Sequence, residues 1–123
     1  MGRERNTVLV VEDDSSMRLL CRVNLELEGF HVLEAPTLDD ARRELSSGTV
    51  DFVILDVHIG PDSGYDLIDT IRSQYPAPIA LITGSSEITD QDRARVDAVL
   101  PKPFELNELT EAIRRLVPAP AER

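Results

Sequence analysis

Short apolar runs alternate with longer amphipathic stretches along most of the chain. Three of the runs are nearly continuous in Val, Ile, Leu and Ala, which is typical of parallel strands that are covered on both faces. Because runs and amphipathic stretches alternate five times, we expect an α/β sandwich with a parallel sheet. The predicted strands are residues 7–11, 31–35, 51–55, 79–83 and 98–101.

The amphipathic stretches carry signals for the start of helices. Ser15 or Ser16 can cap the first helix, and Thr37 opens the second with a sequence that resembles a capping box. Ser86 is the predicted cap of a weaker fourth helix that continues to Val96. The third and fifth helices are predicted over residues 65–74 and 105–117. Among the common open α/β sheets, the flavodoxin-like (βα)5 three-layer sandwich has five parallel strands in the order 2-1-3-4-5, and the five strand–helix units of this chain fit it.

The composition favours a single cytoplasmic domain. We place this domain at residues 6–117, after a disordered N-terminus (1–5) and before a Pro/Ala-rich tail or linker stub (118–123). The formal net charge of −10 argues against direct binding of nucleic acid or anionic membranes. Cys21 has no partner for an intramolecular disulfide and is expected to be buried, and no segment is typical of a signal peptide or a membrane span.

Polar residues follow four of the five predicted strands. The carboxyl ends of parallel strands meet at one edge of the sheet, and in the predicted order the first and third strands are neighbours where the order reverses. We therefore expect a polar site at this edge. Its candidate residues are Glu12, Asp13 and Asp14 after the first strand, Asp56 after the third, Thr83 at the end of the fourth and Lys102 after the fifth.

The acidic candidates indicate a metal site. Carboxylates that converge repel one another unless a cation neutralises them. Since the nearby donors are oxygens, Mg²⁺ fits best, Mn²⁺ can substitute, and zinc fits poorly. The residues 12–14 also have a purely structural interpretation, because Asp14, Ser15 or Ser16 can simply cap the following helix.

Lys102 is the only lysine of the chain; every other Lys or Arg position is arginine. An ammonium is a compact charge on a flexible stem, and it can reach a carboxylate or a phosphoryl oxygen where a planar guanidinium does not fit. Lys102 lies between two prolines, and a cis bond to Pro103 would fix its direction. An isolated exposed lysine usually has no such role, so the prediction depends on the acidic residues expected beside it.

Four segments in this order resemble the receiver domain of bacterial two-component response regulators, the CheY-like superfamily. The segments are VLVVEDDSSMR (8–18), DFVILDVHIGPDSGYDLI (51–68), IALITGSS (79–86) and VLPKPF (99–104). The resemblance implies a phosphorylation-dependent switch of cytoplasmic signalling rather than an enzyme with a separate substrate. It implies a sensor histidine kinase or phosphotransfer protein as donor, an unknown output partner or an effector domain absent from this sequence, and a possible homodimer.

The resemblance also implies a role for each matching residue. Asp56 would accept the phosphoryl group, while Lys102 and Thr83 would contact that group. Mg²⁺ would be bound by Asp13 and Asp56 directly and by Glu12 through water. The main-chain carbonyl of His58 would complete this set. Phosphorylation would then change the surface formed by the fourth helix, the fifth strand and the fifth helix.

The sequence departs from the family pattern near the output surface. Val99 stands where the family usually has Tyr or Phe, so an aromatic rotamer switch is not available. The segment from Thr83 to Lys102 is short, which predicts a short or irregular fourth helix. His58 and Ser85 occupy positions whose side chains tune the lifetime of the acyl phosphate in the family.

Three other functions fit some of the same residues. A Mg²⁺-dependent phosphohydrolase with an aspartyl-phosphate intermediate uses similar groups, but it generally has an acid at the position of His58. A flavin-binding module needs a phosphate loop, and the acidic residues 12–14 would repel the phosphate. A degenerate receiver that serves as a constitutive interaction module remains an alternative because of Val99.

Overall fold

The computed structural model describes residues 6–84 and 88–116, which contain a five-stranded parallel sheet with helices packed on both faces. The predicted termini 1–5 and 118–123 lie outside these residues. The sheet strands are β1 (Thr7–Val11), β2 (His31–Ala35), β3 (Phe52–Asp56), β6 (Ile79–Thr83) and β7 (Ala98–Pro101), in the order β2-β1-β3-β6-β7. When only the five strands of this sheet are numbered along the chain, their order is the predicted 2-1-3-4-5. A separate antiparallel pair, β4 (His58–Ile59) and β5 (Asp62–Ser63), was not predicted.

The helices are α1 (Ser15–Leu27), α2 (Leu38–Ser47), α3 (Tyr65–Gln74), α4 (Asp90–Arg93) and α5 (Leu106–Leu116). The third helix has the predicted bounds. Of the three candidate caps, Ser15 and Ser16 were wrong and Asp14 is confirmed: it is the N-cap of α1, and its side chain accepts a hydrogen bond from the Ser16 N–H. Thr37 caps α2 as predicted.

The burial of the strands explains their apolar sequences. Every residue of β1, β3 and β6 is buried, whereas the edge strands β2 and β7 are partly exposed. Alternate residues of β1 enter different cores: Leu9 and Val11 pack with α2 and α3, while Val8 and Val10 pack with α1 and α5. Cys21 is fully buried in the second of these cores, as expected.

The third strand begins one residue later than predicted. Asp51 lies outside the strand, and its carboxylate accepts a hydrogen bond of 2.8 Å from the Thr7 N–H. The strand also ends one residue later than predicted, at Asp56, which is paired with Ile82 of β6. Asp56 is thus held within the sheet rather than in the loop that follows.

The fourth helix is a single turn of four residues, Asp90–Arg93. Its N-cap is Thr89, whose hydroxyl accepts a hydrogen bond of 3.0 Å from the Asp92 N–H. Ser86, the predicted cap, lies outside the described residues. The expectation of a short fourth helix agrees with the structure, although the predicted extent to Val96 was too long.

The Lys102–Pro103 peptide bond is cis. Among the helices that the structure describes, none has the length and apolar character needed to cross a membrane.

Candidate functional site

Three carboxylates converge at the carboxyl edge of the sheet. Glu12 and Asp13 directly follow β1, and Asp56 ends the neighbouring strand β3. Each of the three offers a carboxylate oxygen, and these oxygens lie within 4.8 Å of one another. Because β1 and β3 are adjacent at the point where the strand order reverses, the fold itself brings these acids together.

The three acids differ in their environment. Glu12 and Asp56 are only 1% and 3% exposed, whereas Asp13 is exposed. Burial, together with the hydrogen bond and the charge of Asp56, raises the pKa of Glu12 to about 7, although the Asp14 N–H and Lys102 oppose this shift. The Gly60 N–H donates to Asp13 Oδ2 at 2.7 Å, and this bond lowers the pKa of Asp13. Burial thus disfavours the charged form of Glu12, so the cluster carries its full negative charge only at a cost in free energy.

This donor set fits a hard divalent cation. The three acids supply oxygen ligands only, and a cation in the cluster would replace the proton that Glu12 otherwise retains near neutral pH. The acidic cluster is therefore suited to bind a metal ion such as Mg²⁺. Asp14 does not belong to the cluster, since its side chain caps α1. The cap interpretation of residues 12–14 is thus confirmed for Asp14, while Glu12 and Asp13 belong to the acidic cluster and their role as metal ligands stays a prediction.

Lys102 provides the positive charge of the site. Its ammonium nitrogen lies 2.9 Å from Asp56 Oδ2 and 3.5 Å from Glu12 Oε1. Burial alone would lower the pKa of Lys102, but the hydrogen bond and charges of the two carboxylates outweigh burial and raise this pKa. The unique lysine therefore remains protonated and touches two buried acids with a single compact group.

Thr83 lies next to these groups at the end of β6. It is 2% exposed, and its main-chain carbonyl accepts a hydrogen bond of 2.8 Å from the Lys102 N–H. The strand register pairs Asp56 with Ile82, the residue that precedes Thr83. The ends of β3, β6 and β7 are consequently linked side by side at the site.

The remaining predicted residues are more peripheral. His58 is exposed, and its main-chain N–H donates to Asp56 Oδ1 at 3.2 Å. Val99 is half-buried in β7 and pairs with Leu81. Ser85 lies outside the described residues. The structure does not test the ligand role of the His58 carbonyl or the tuning roles of the His58 and Val99 side chains. These roles stay predictions.

Two glycines shape the site, although the sequence pattern predicted no role for either. A Cβ atom on Gly64 would lie 2.1 Å from the main-chain oxygen of Asp56, so a side chain there would displace the backbone of the central acid. Gly60 has a φ of +59°, a conformation that favours glycine, and this conformation accompanies its hydrogen bond to Asp13. The Gly-Pro and Ser-Gly pairs were available as turn signals, but neither identifies the acid that the turn approaches.

We expect the metal-free protein to lose stability as the pH rises from 4.5 to about 7 and beyond. The pKa of Glu12 is higher in the folded protein than its unfolded value of 4.5, so its stabilising contribution is complete below pH 4.5 and disappears as the pH passes about 7. The full loss is about 3 kcal/mol in the free energy of unfolding. Urea denaturation in EDTA across this pH range measures it.

The matched control for this experiment is Glu12→Gln. This variant has no carboxyl group to titrate at position 12, so its stability should vary less with pH, and the difference between the two proteins isolates Glu12. Identical pH dependence in both proteins would show that Glu12 does not hold a proton near neutral pH.

Comparison with known proteins identifies close similarity over nearly the whole chain. The family model of the response regulator receiver domain matches residues 8–114. The KDP operon transcriptional regulatory protein KdpE of Escherichia coli is 33% identical over 110 residues, covering 87% of this chain and 49% of the relative. The chain thus spans about half the length of this curated relative.

Solved structures of similar proteins have the same fold. Response regulator protein TrrA of Thermotoga maritima, in complex with Mg²⁺-BeF, is 31% identical with a TM-score of 0.83, covering 91% of this chain and 99% of that one. A response regulator protein of Burkholderia pseudomallei with a phosphorylated aspartic acid, a calcium ion and citrate is 28% identical with a TM-score of 0.81. The match covers 87% of this chain and 65% of that one.

Proposed function

Since this chain belongs to the response regulator receiver domain family of bacterial two-component systems, we propose that it is a signalling switch whose phosphoacceptor is Asp56. The observation that carries the proposal is the position of Asp56, a buried carboxylate that belongs to the acidic cluster and contacts Lys102. As a receiver domain, the protein is a regulatory phosphoacceptor. The donor that we propose is the phosphohistidine of a sensor kinase or of a phosphotransfer protein.

In the proposed reaction, a carboxylate oxygen of Asp56 attacks the phosphorus of the phosphohistidine. An O–P bond forms and the N–P bond breaks, with the electron pair of that bond remaining on the histidine nitrogen. The product is an acyl phosphate, which water later hydrolyses. The sheet holds Asp56 in place for this attack, because the residue is paired with Ile82 and its Oδ1 accepts from the His58 N–H.

Asp13 and Asp56 are the proposed direct ligands of Mg²⁺, with Glu12 and the main-chain carbonyl of His58 as further participants. The convergence of the acidic oxygens within 4.8 Å supports this assignment. When bound, the cation supplies positive charge that offsets the negative charge of the transferring oxygens. Mn²⁺ has the same preference for oxygen ligands and is the proposed substitute.

Lys102 and Thr83 are proposed to detect the phosphoryl group. Lys102 would exchange its bond to Asp56 for a bond to a phosphoryl oxygen, and the Thr83 hydroxyl would donate to another. The two residues are already linked, since the Lys102 N–H bonds to the Thr83 carbonyl. A movement of one residue would therefore affect the other, and with it the end of β7, which Lys102 directly follows.

The proposed output surface consists of α4, β7 and α5. In this protein α4 is a single turn, and Val99 replaces the aromatic residue usual in the family, so the signal must pass without a ring that changes its rotamer. The proposed readers are an output partner, an effector domain or a second copy of the chain.

Intact-mass measurement with a small phosphodonor tests the function. With acetyl phosphate or phosphoramidate and Mg²⁺, we expect one phosphoryl group to be added to each chain. The expected adduct accumulates rather than turning over rapidly, because no carboxylic acid occupies the position of His58 to assist hydrolysis.

The rival functions predict different results. A phosphohydrolase would hydrolyse p-nitrophenyl phosphate steadily and show little adduct. A degenerate receiver would show no adduct with any donor. Either result would contradict the proposed switch.

A further inference from the structure

Arg18 connects residues 12–14, which we call the acidic turn, to the edge strand β2. Its Nη1 donates to the main-chain oxygen of Glu12 at 2.9 Å and, at the longer distance of 3.5 Å, to that of Asp13. Its Nε lies 3.1 Å from Glu34 Oε1. The side chain of Arg18 is only 17% exposed, so it is enclosed by the groups that it links.

These contacts restrain the main chain of Glu12, the first residue of the acidic cluster. The Glu12 N–H donates to the Ala35 carbonyl at 3.1 Å, and the Glu12 carbonyl accepts from Arg18. Both main-chain groups of Glu12 are therefore occupied immediately after β1 ends. The Glu12 carbonyl belongs to the Glu12–Asp13 peptide, and the orientation of this peptide sets the direction in which the chain enters Asp13. This orientation therefore decides whether the carboxylates of Glu12 and Asp13 both reach Asp56.

The guanidinium is itself held in a fixed direction. Glu34 lies in β2 opposite Val10, so the strand fixes the carboxylate that accepts from Arg18 Nε at 3.1 Å. The planar fork of Arg18 can donate to Glu34 and to the Glu12 carbonyl at once, which a lysine ammonium on a flexible stem does less well. The position thus requires the geometry of arginine, in contrast to the lysine of the site.

We propose that Arg18 is a positioning residue for the divalent-cation site, because its fork fixes the Glu12–Asp13 peptide so that the two carboxylates converge on Asp56. This inference rests on the proposed function, since it requires the acidic cluster to bind a cation. Residues outside the direct ligands commonly orient the ligands in this way, and their loss weakens metal binding by about 10- to 100-fold.

The sign of the effect separates positioning from simple electrostatics. Arg18 is a positive charge near a cation site, so through-space repulsion alone predicts that its removal tightens cation binding. Positioning predicts the opposite result. Arg22 is the matched control, because it has the same charge, lies on the same helix and pairs with the same Glu34, but its described hydrogen bonds include none to residues 12–14.

The experiment is titration of the full chain with Mn²⁺, with the free ion followed by electron paramagnetic resonance. Arg18→Gln should raise the Kd of Mn²⁺ by about 10-fold or more. Arg22→Gln should leave the Kd within about twofold of wild type or lower it slightly. Thermal unfolding in EDTA checks that each variant is folded.

Arg18→Lys is the second variant, and it also serves if Arg18→Gln does not fold. It retains the charge but loses the fork, so we expect a Kd several-fold above wild type. A wild-type Kd in Arg18→Lys, or equal values in Arg18→Gln and Arg22→Gln, would overturn the positioning role alone. Failure of the wild-type protein to bind Mn²⁺ would overturn this role together with the proposed cation site.

Discussion

Asp56→Asn is expected to abolish covalent uptake of a phosphoryl group from acetyl phosphate. The asparagine amide has the shape of the acid but lacks the anionic oxygen that attacks phosphorus. It fits the same buried position at the end of β3 and retains an oxygen that accepts from the His58 N–H or from Lys102. The variant therefore removes the proposed nucleophile and leaves the surrounding packing in place.

Intact-mass spectrometry after treatment with phosphodonor and Mg²⁺ measures this effect. Asp62→Asn is the matched control, since Asp62 is an exposed acid in the same β3–α3 connection and lies outside the acidic cluster. We expect Asp62→Asn to take up one phosphoryl group as wild type does. An adduct of wild-type amount in Asp56→Asn would place the phosphoacceptor elsewhere.

Asp56→Asn also has an expected effect in the absence of any donor. The hydrogen bond and the charge of Asp56 both raise the pKa of Glu12. Without that charge, the pKa of Glu12 should fall, and the stability of the metal-free protein should change less between pH 4.5 and 7. A pH series of urea denaturation in EDTA shows whether the two acids are coupled.

Removal of the divalent cation is expected to slow phosphoryl uptake by a factor on the order of 10² to 10³. Without a cation, the incoming anionic phosphoryl group meets the acidic cluster, whose carboxylates are contacted by the Lys102 ammonium among the described residues. Repulsion between two charges about 4 Å apart costs about 4 kcal/mol at the effective dielectric typical of protein surfaces, which is sufficient for a change of this size. EDTA should produce this loss, and added Mg²⁺ should reverse it.

Asp13→Asn should have a similar effect at limiting Mg²⁺, because it removes the charge of one proposed ligand while the amide oxygen can still accept from the Gly60 N–H. Asp14→Asn is the matched control. Asp14 is the adjacent acid, it serves as the N-cap of α1, and asparagine is an equally good N-cap. Time courses of adduct formation over a range of Mg²⁺ concentrations compare the variants. If Asp13→Asn and wild type required the same Mg²⁺ concentration, Asp13 would not be a ligand.

Several parts of the fold followed from local sequence. The continuous apolar runs predicted the buried strands because a parallel strand that is covered on both faces has no polar side. Thr37 and the bounds of α3 followed from capping and proline signals that act over a few residues. The prediction was less accurate for α4, where the short connection between β6 and β7 leaves little periodic sequence.

The division of roles among the three successive acids 12–14 did not follow from local sequence. Each has the same carboxylate chemistry, and any of them can cap a helix or bind a cation. Asp14 became the cap because its side chain reaches the Ser16 N–H, whereas Asp13 bonds to the Gly60 N–H, 47 residues away. Contacts at such separation depend on the strand order.

The sequence by itself therefore determined the alternation of strands and helices, and it placed the acids, the threonine and the unique lysine at one edge of the sheet. Periodic burial and the shared direction of parallel strands are sufficient for that much. Only the tertiary structure decided that Lys102 contacts Asp56 across 46 residues, that Gly64 must lack a side chain, and that Arg18 donates to the main-chain oxygen of Glu12. These features depend on distances between segments that meet only after the sheet has assembled, and the local pattern of residues does not encode such distances.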